Sequence, residues 1–260
     1  ALTQIHKSPQ IKGKLKFNSE NLAKLVHSLD DSPQLPNIFD NTVSVVTSLA
    51  ASATGGVLSN IILKLGSAQG TGRIAFQQRT KTDFNMSFAV NKLDIDALLK
   101  PRALKTRLDK INLDNDTTKS IKDDISGSSN IPLANFIGSQ VKSNLLPKNI
   151  NAFVDISIAS IIYNKDAVRQ VKVNATLEDG EITISQASAL LPGGTDLGLQ
   201  GIIFDQVEKK LPQFEGTTDL KTNNLRALLD WIGVDLSQVP ANRARNLTVG
   251  GAILANPKKL

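Results

Sequence analysis

The sequence predicts a mainly β protein, with antiparallel strands joined by tight turns and accompanied by short amphipathic helices. Three observations predict this class: a duplicated unit, a series of segments in which apolar and polar residues alternate, and turn signals between those segments. The 260 residues are 40% hydrophobic and 21% charged, so the chain has the composition and the length of a globular protein with a sizeable core.

The duplicated unit comprises residues 11–29 and 214–232, which align without a gap. In the first copy Ile11, Leu15 and Phe17 alternate with lysines, which is typical of a strand with one wet face. Each copy then changes to helical spacing, which predicts short amphipathic helices over residues 21–29 and 224–232, with Ser19 and Thr222 as N-caps. The apolar stripe of the second helix is Leu225, Leu228, Leu229 and Ile232.

The region between the two copies carries strand and turn signals. Apolar residues recur at every second position of residues 84–90 and of residues 171–177. Asp179-Gly180 predicts a two-residue hairpin, because a type I′ turn requires positive φ at both central residues. Pro192-Gly193-Gly194 predicts a further turn. Together these segments predict a meander of antiparallel strands.

The repeat divides the chain into two units joined by a polar segment. Residues 1–99 form the first unit and residues 131–260 form the second, which is truncated at its C-terminal end because it lacks counterparts of the last strands of the first. Residues 100–130 are polar and charged with little periodicity, and we interpret them as a linker or a mobile excursion.

No residue pattern indicates a catalytic, cofactor-binding or metal-binding site, so the chain is predicted not to be an enzyme. Cysteine is absent, and neither His6 nor His27 has a partner at metal-ligand spacing. Asp94 and Asp96 resemble an acid/base pair, but we interpret them as residues of a strand end and a capped turn. No nucleic-acid partner is predicted, because the net charge of +6 is dispersed and the most basic stretch lacks aromatic residues for base stacking.

Three segments carry a resemblance to a known family: NLRALLDWIG at residues 224–233, LPGGT at residues 191–195 and VNKLDIDALL at residues 90–99. In this order, and with the duplication, they resemble the repeats of the AsmA-like bacterial envelope proteins, a family related to the bridge-like lipid-transfer proteins. The resemblance covers nearly the whole chain apart from the polar segment.

The resemblance implies a long antiparallel curled sheet that forms an open groove, an architecture called a β-taco. It implies phospholipid acyl chains as the partner inside the groove, and a role in phospholipid transport between inner and outer membrane, envelope homeostasis or outer membrane biogenesis. It also implies a periplasmic location, an inner-membrane anchor outside this chain, other envelope proteins as partners, and no cofactor. The candidate residues for the groove lining are Val154, Ile156, Ile158, Ile182, Ile184, Leu197, Leu199 and Ile203.

Alternation alone leaves other interpretations open. The eight residues either line an open groove or pack as the core of a closed sandwich. An alternative function is a structural scaffold for the assembly of outer-membrane proteins, whose sheet edges recruit a partner strand by β-augmentation. A polysaccharide-active enzyme is a third hypothesis, which requires two converging carboxylates such as Asp94 and Asp96.

Overall fold

The computed structural model describes residues 2–3, 10–21, 41–99, 146–206, 211–240 and 243–256. They form one sheet of twelve strands that lie side by side in chain order. The strands are β1 (Leu2–Thr3), β2 (Gln10–Ser19), β3 (Val43–Ser52), β4 (Gly55–Leu65), β5 (Ala68–Gln78), β6 (Thr82–Asp94), β7 (Ile150–Tyr163), β8 (Asp166–Glu178), β9 (Glu181–Leu191), β10 (Thr195–Gln206), β11 (Leu211–Thr222) and β12 (Leu247–Ala255). Two short helices accompany them, α1 (Ile95–Leu99) and α2 (Leu225–Trp231).

The sheet is curled and not closed, as the predicted fold class requires. The closed sandwich is therefore wrong for the described residues, which form a single layer of strands. Only five hydrophobic side chains among them are fully buried: Val43, Ile61, Val168, Leu228 and Leu236. No helix in the described ranges is long and apolar enough to cross a membrane.

The predicted antiparallel arrangement has one exception, the junction between β6 and β7. These two strands pair in parallel, with Thr82 opposite Ile150 and Asp94 opposite Ile162, whereas every other neighbouring pair is antiparallel. A parallel pair requires a crossover connection of a dozen or more residues, and residues 95–149 provide one. The strands assigned to the two predicted units, β1–β6 and β7–β12, thus continue one sheet.

Both predicted turns are confirmed by the backbone. Asp179 and Gly180 have φ values of 53° and 81° and connect β8 to β9, in the two-residue geometry that the type I′ turn requires. Gly193 and Gly194 have φ values of 78° and 65° and connect β9 to β10. Glycine adopts positive φ at little cost, so it fits both turns. Each turn reverses the chain and thereby sets the direction of the following strand.

The predicted repeat is confirmed by the pairing of its strands. Gly13 of β2 lies opposite Leu49 of β3, and its counterpart Gly216 of β11 lies opposite Ile253 of β12. The segments that connect the strands of each pair, residues 20–42 and 223–246, differ in length by one residue. Strand β12 is therefore the structural counterpart of β3.

The second predicted helix forms, with two corrections. Its N-cap is Asn224 and not Thr222: the Asn224 side chain accepts the backbone N–H of Ala227 at 3.1 Å. Thr222 is the last residue of β11. Its hydroxyl oxygen accepts hydrogen bonds from the backbone N–H of Asn224 and from the Thr195 hydroxyl. Ile232 is not part of the buried stripe, because it follows the last helical turn and is 58% exposed.

Some predictions fall on parts of the chain that the structure does not describe. These are the first helix beyond its first residue, at residues 22–29, the polar segment at residues 100–130, and both histidines, His6 and His27.

Candidate functional site

The eight residues predicted to line a groove lie on one face of the sheet. Cross-strand partners share a face, so the pairing registers decide this point. The residues occupy four successive rows that run across the strands, two in each row. From one row to the next, the pairs are Ile182 with Ile203, Val154 with Ile184, and Ile156 with Leu199. Ile158 and Leu197 follow in the next row of the same face, on either side of a β-bulge between β8 and β9.

Two of these rows cross eleven strands without a polar residue, and we call this side of the sheet the apolar face. Row 1 consists of Ile11, Ala51, Gly56, Phe76, Phe84, Ala152, Leu177, Ile182, Ile203, Phe214 and Ala255. Row 2 consists of Gly13, Leu49, Leu58, Ile74, Met86, Val154, Ala175, Ile184, Gly201, Gly216 and Ile253. The parallel junction between β6 and β7 interrupts neither row.

The apolar face is only partly shielded from solvent. All eight candidate residues are half-buried, and none reaches the burial of a core side chain. In row 1, Phe76 is 44% exposed and Phe84 is 39% exposed, with ring centroids 6.3 Å apart. No second layer of the described chain covers this face. Among the described residues, the large aromatic and aliphatic side chains of this face therefore have no covering layer.

Glycines on the apolar face let neighbouring rings lie close to the backbone. A Cβ atom at Gly72 would lie 2.5 Å from the Ser87 carbonyl oxygen and 2.7 Å from the ring of Phe88. A Cβ atom at Gly216 would lie 2.2 Å from a carbonyl oxygen of β10 and 2.6 Å from the ring of Phe214. There is no room for a side chain at either position, because the Phe88 ring lies against the backbone of Gly72 and the Phe214 ring lies against the backbone of Gly216.

The opposite face is mainly polar and more exposed. One of its rows runs Arg73, Ser87, Asp155, Asn174 and Gln186, and the Asn174 amide donates to Asp155 at 3.0 Å. Lys14, Lys172 and Thr183 are all on this face and exposed. The two faces of the sheet thus differ in chemistry, although one row of the polar face also carries Val57, Phe153 and Ile202.

Two depressions, of about 550 and 520 Å³, lie mainly on the polar face rather than along the eight candidate residues. The lining of the first depression includes Lys12, Asp83 and Asn85. The small side chains of Ala50 and Ala75 leave space at its centre. Both depressions also include residues of the apolar face, Phe76 and Phe84 in the first and Leu197 in the second. Each depression spans only a few strands, whereas rows 1 and 2 cross eleven, so we regard the continuous apolar face as the candidate site.

The two aspartates considered as an acid/base pair have structural partners instead. Asp94 accepts the backbone N–H of Ala97 at 2.8 Å and so caps the first turn of α1, as expected. Asp96 accepts the backbone N–H groups of Asn164 and Lys165 at 2.8 and 2.7 Å, in the turn between β7 and β8. Both carboxylates thus accept hydrogen bonds from backbone N–H groups, Asp94 at the start of α1 and Asp96 in the turn between β7 and β8.

Helix α2 docks against the same end of the sheet. Leu228 is 6% exposed, and the Trp231 indole N–H donates to the Tyr163 carbonyl at 2.8 Å, with the two rings edge to face at 6.0 Å. Trp231 therefore acts as a packing residue between α2 and the sheet. Just after the helix, the backbone N–H of Ser237 holds the pKa of the exposed Asp235 carboxyl below its usual value.

The eight predicted residues are only part of the apolar face, which also includes residues of β2–β6 such as Leu58, Ile74 and Met86. Alternation within residues 84–90 was visible in the sequence, but nothing local showed that β6 pairs in parallel with β7 and so continues the same face. Within the described residues no group of three or more His, Asp or Glu side chains could hold a metal ion.

Comparisons with protein-family models, curated proteins and solved structures gave no match.

Proposed function

We propose that the apolar face is a groove that carries phospholipid acyl chains and that the protein is a non-enzymatic, AsmA-like envelope protein. The observation that carries this proposal is the pair of uninterrupted apolar rows, which cross eleven strands and which no second layer of the described residues covers. Phospholipid transport between inner and outer membrane, or envelope homeostasis through such transport, is the function that we infer.

The size of the apolar face supports a ligand. Eleven strands spaced about 4.8 Å apart and two rows, each roughly 6.6 Å wide, give a continuous apolar band of about 48 by 13 Å, or roughly 600 Å². The largest apolar patch on a typical soluble monomer measures roughly 300–600 Å² and is often functional. Each Å² of this band that is exposed would cost about 25 cal/mol in water unless something covers it.

The chemistry of the face favours acyl chains as that covering. A phospholipid tail reaches across one leaflet, which is about half of the roughly 30 Å hydrocarbon core, so two to three tails fit along each row. No charge interrupts rows 1 and 2, so tails would meet only aliphatic, aromatic and glycine surfaces. An open sheet also leaves the charged headgroups in water, since the groove is not closed.

The resemblance to the AsmA-like family supplies the location in this proposal. We propose a periplasmic protein held at the inner membrane by a segment outside these 260 residues, with other envelope proteins as partners. Subcellular fractionation of the native host tests the location: recovery with the cytosolic fraction would contradict it.

Photo-crosslinking in cells tests the proposed groove. A photoreactive amino acid at Ile156, Ile158, Leu197 or Leu199 is expected to capture phospholipid, because these side chains lie on the apolar face. The controls are Lys14, Lys172 and Thr183 on the opposite face, where little capture is expected. Equal capture on both faces, or none on the apolar face, would reject the proposal.

A further inference from the structure

Two further rows extend the apolar face beyond row 2, and we call them row 3 and row 4. Row 3 runs across the strands from Leu15 to Gly251 and includes Ile156. Row 4 runs from Phe17 to Val249. The paired positions of row 4 are all apolar, and those of row 3 include only two polar side chains, both threonines.

The hydroxyl groups of these two threonines are directed into the sheet. Thr47 is 5% exposed, and its hydroxyl donates to the Ser59 carbonyl oxygen at 3.0 Å. The Thr218 hydroxyl donates to the Gly198 carbonyl oxygen at 2.9 Å. A hydroxyl has one O–H group, so neither threonine retains a donor for a ligand. The oxygen of the half-buried Thr218 is then the one side-chain acceptor that a ligand can reach at the paired positions of the four rows.

An acyl chain on this face therefore meets almost no hydrogen-bonding group. If the chain carries a hydroxyl group, that group loses hydrogen bonds to water that the protein does not replace, and the loss disfavours binding. A hydrophobic pocket rejects an isostere with one added hydroxyl by about a hundredfold. The apolar face is open, so part of the hydration is retained and the expected discrimination is about tenfold.

We propose that the groove selects lipids with unsubstituted hydrocarbon chains over lipids whose acyl chains carry a hydroxyl group. This inference rests on the proposed function, because it specifies which acyl chains the apolar face accepts. The selecting feature is the continuous apolar middle of row 3, where Phe88, Ile156, Val173 and Leu199 lie. These side chains come from strands on both sides of the parallel junction, so the selection acts across it.

A competition between two phospholipids tests this selectivity in the 260-residue chain. The vesicles contain equal amounts of two phospholipids with the same headgroup, one of which carries a hydroxyl group at the middle of one acyl chain. The protein is incubated with these vesicles and isolated again, and mass spectrometry then measures the ratio of the two bound lipids. The unsubstituted lipid is expected to exceed the hydroxylated lipid about tenfold.

Two substitutions on β7 locate the selectivity on the apolar face. Ile156→Asn places an amide in row 3 that can bond the hydroxyl group of the ligand, so it should lower the ratio at least about threefold. The matched control is Ser157→Asn, whose side chain lies on the opposite face and which should leave the ratio unchanged. Thr218→Val removes the remaining acceptor and should keep or raise the ratio. An equal fall in both β7 variants, or a fall in Thr218→Val, would overturn the assignment to these rows.

The ratio in the parent chain requires no substitution, so the test does not depend on the folding of Ile156→Asn. It also separates this inference from the proposed function. If both phospholipids are recovered with the parent chain in equal amounts, the selectivity is rejected while the groove stays supported. If neither phospholipid is recovered, the groove proposal itself fails, and this inference fails with it.

Discussion

Leu228→Ala should undock α2 and lower the stability of the fold. The side chain is 6% exposed and is one of the few fully buried hydrophobic groups of the described chain. Truncation of a buried leucine to alanine costs about 2–5 kcal/mol, through the lost transfer free energy and the cavity that remains. A helix of seven residues has too little intrinsic stability to stay formed without this packing.

The contacts around α2 determine which spectroscopic signal reports the loss of stability. The helix is fixed at its start by Asn224 and at its end by Trp231, which is the only tryptophan of the chain. Its fluorescence therefore reports on the docking of α2, while circular dichroism reports on the sheet. A urea titration followed by both signals should show the Trp231 transition at a clearly lower urea concentration in Leu228→Ala than in the parent chain.

The matched control is Ile232→Ala, which truncates an aliphatic side chain of the same segment that is 58% exposed. Its free energy of unfolding should stay within about 0.5 kcal/mol of the parent value. An unchanged Trp231 midpoint in Leu228→Ala, or an equal loss in both variants, would refute the docking of α2 through Leu228.

Other substitutions test the apolar face and its supports. Gly216→Ala should destabilise the chain by about 1–3 kcal/mol in urea unfolding, because its Cβ would meet a β10 carbonyl oxygen at 2.2 Å, whereas Gly251→Ala, with nothing within 4 Å of its Cβ, should not. Asp96→Ala should cost roughly 1 kcal/mol through the loss of two hydrogen bonds to the turn between β7 and β8, and an unchanged midpoint would contradict this. Ile158→Arg should reduce phospholipid transfer between vesicles more than it reduces the melting temperature, because a charge at the open face reaches water while it obstructs acyl chains; a loss of both in proportion would indicate a folding defect instead.

The sequence predicted those parts of the fold that depend on local chemistry. Alternation around Ile156 and Leu197 placed these side chains correctly on one face, and Asp179-Gly180 specified its turn because few dipeptides accept two positive φ angles. The N-cap of α2 was misplaced because Thr222 and Asn224 are both good capping residues, and the choice between them depends on where β11 ends.

The parallel junction between β6 and β7 had no local signal. The two strands are separated by residues 95–149, and pairing across such a distance is decided by tertiary contacts rather than by neighbours in the chain. For this reason the residues of β2–β6 on the apolar face, such as Met86, were missing from the predicted site. The repeat, in contrast, was visible because its two copies keep both their sequence and their strand register.

The central claim is that one apolar groove extends across both units, and a crosslinking scan along row 2 tests it most directly. The photoreactive amino acid is placed in turn at Leu58, Met86, Val154 and Ile184, which lie on both sides of the parallel junction. The account predicts phospholipid capture at all four positions, with little at Ser157 on the opposite face of β7. Capture confined to one side of the junction, or capture at Ser157 equal to that at Val154, would contradict it.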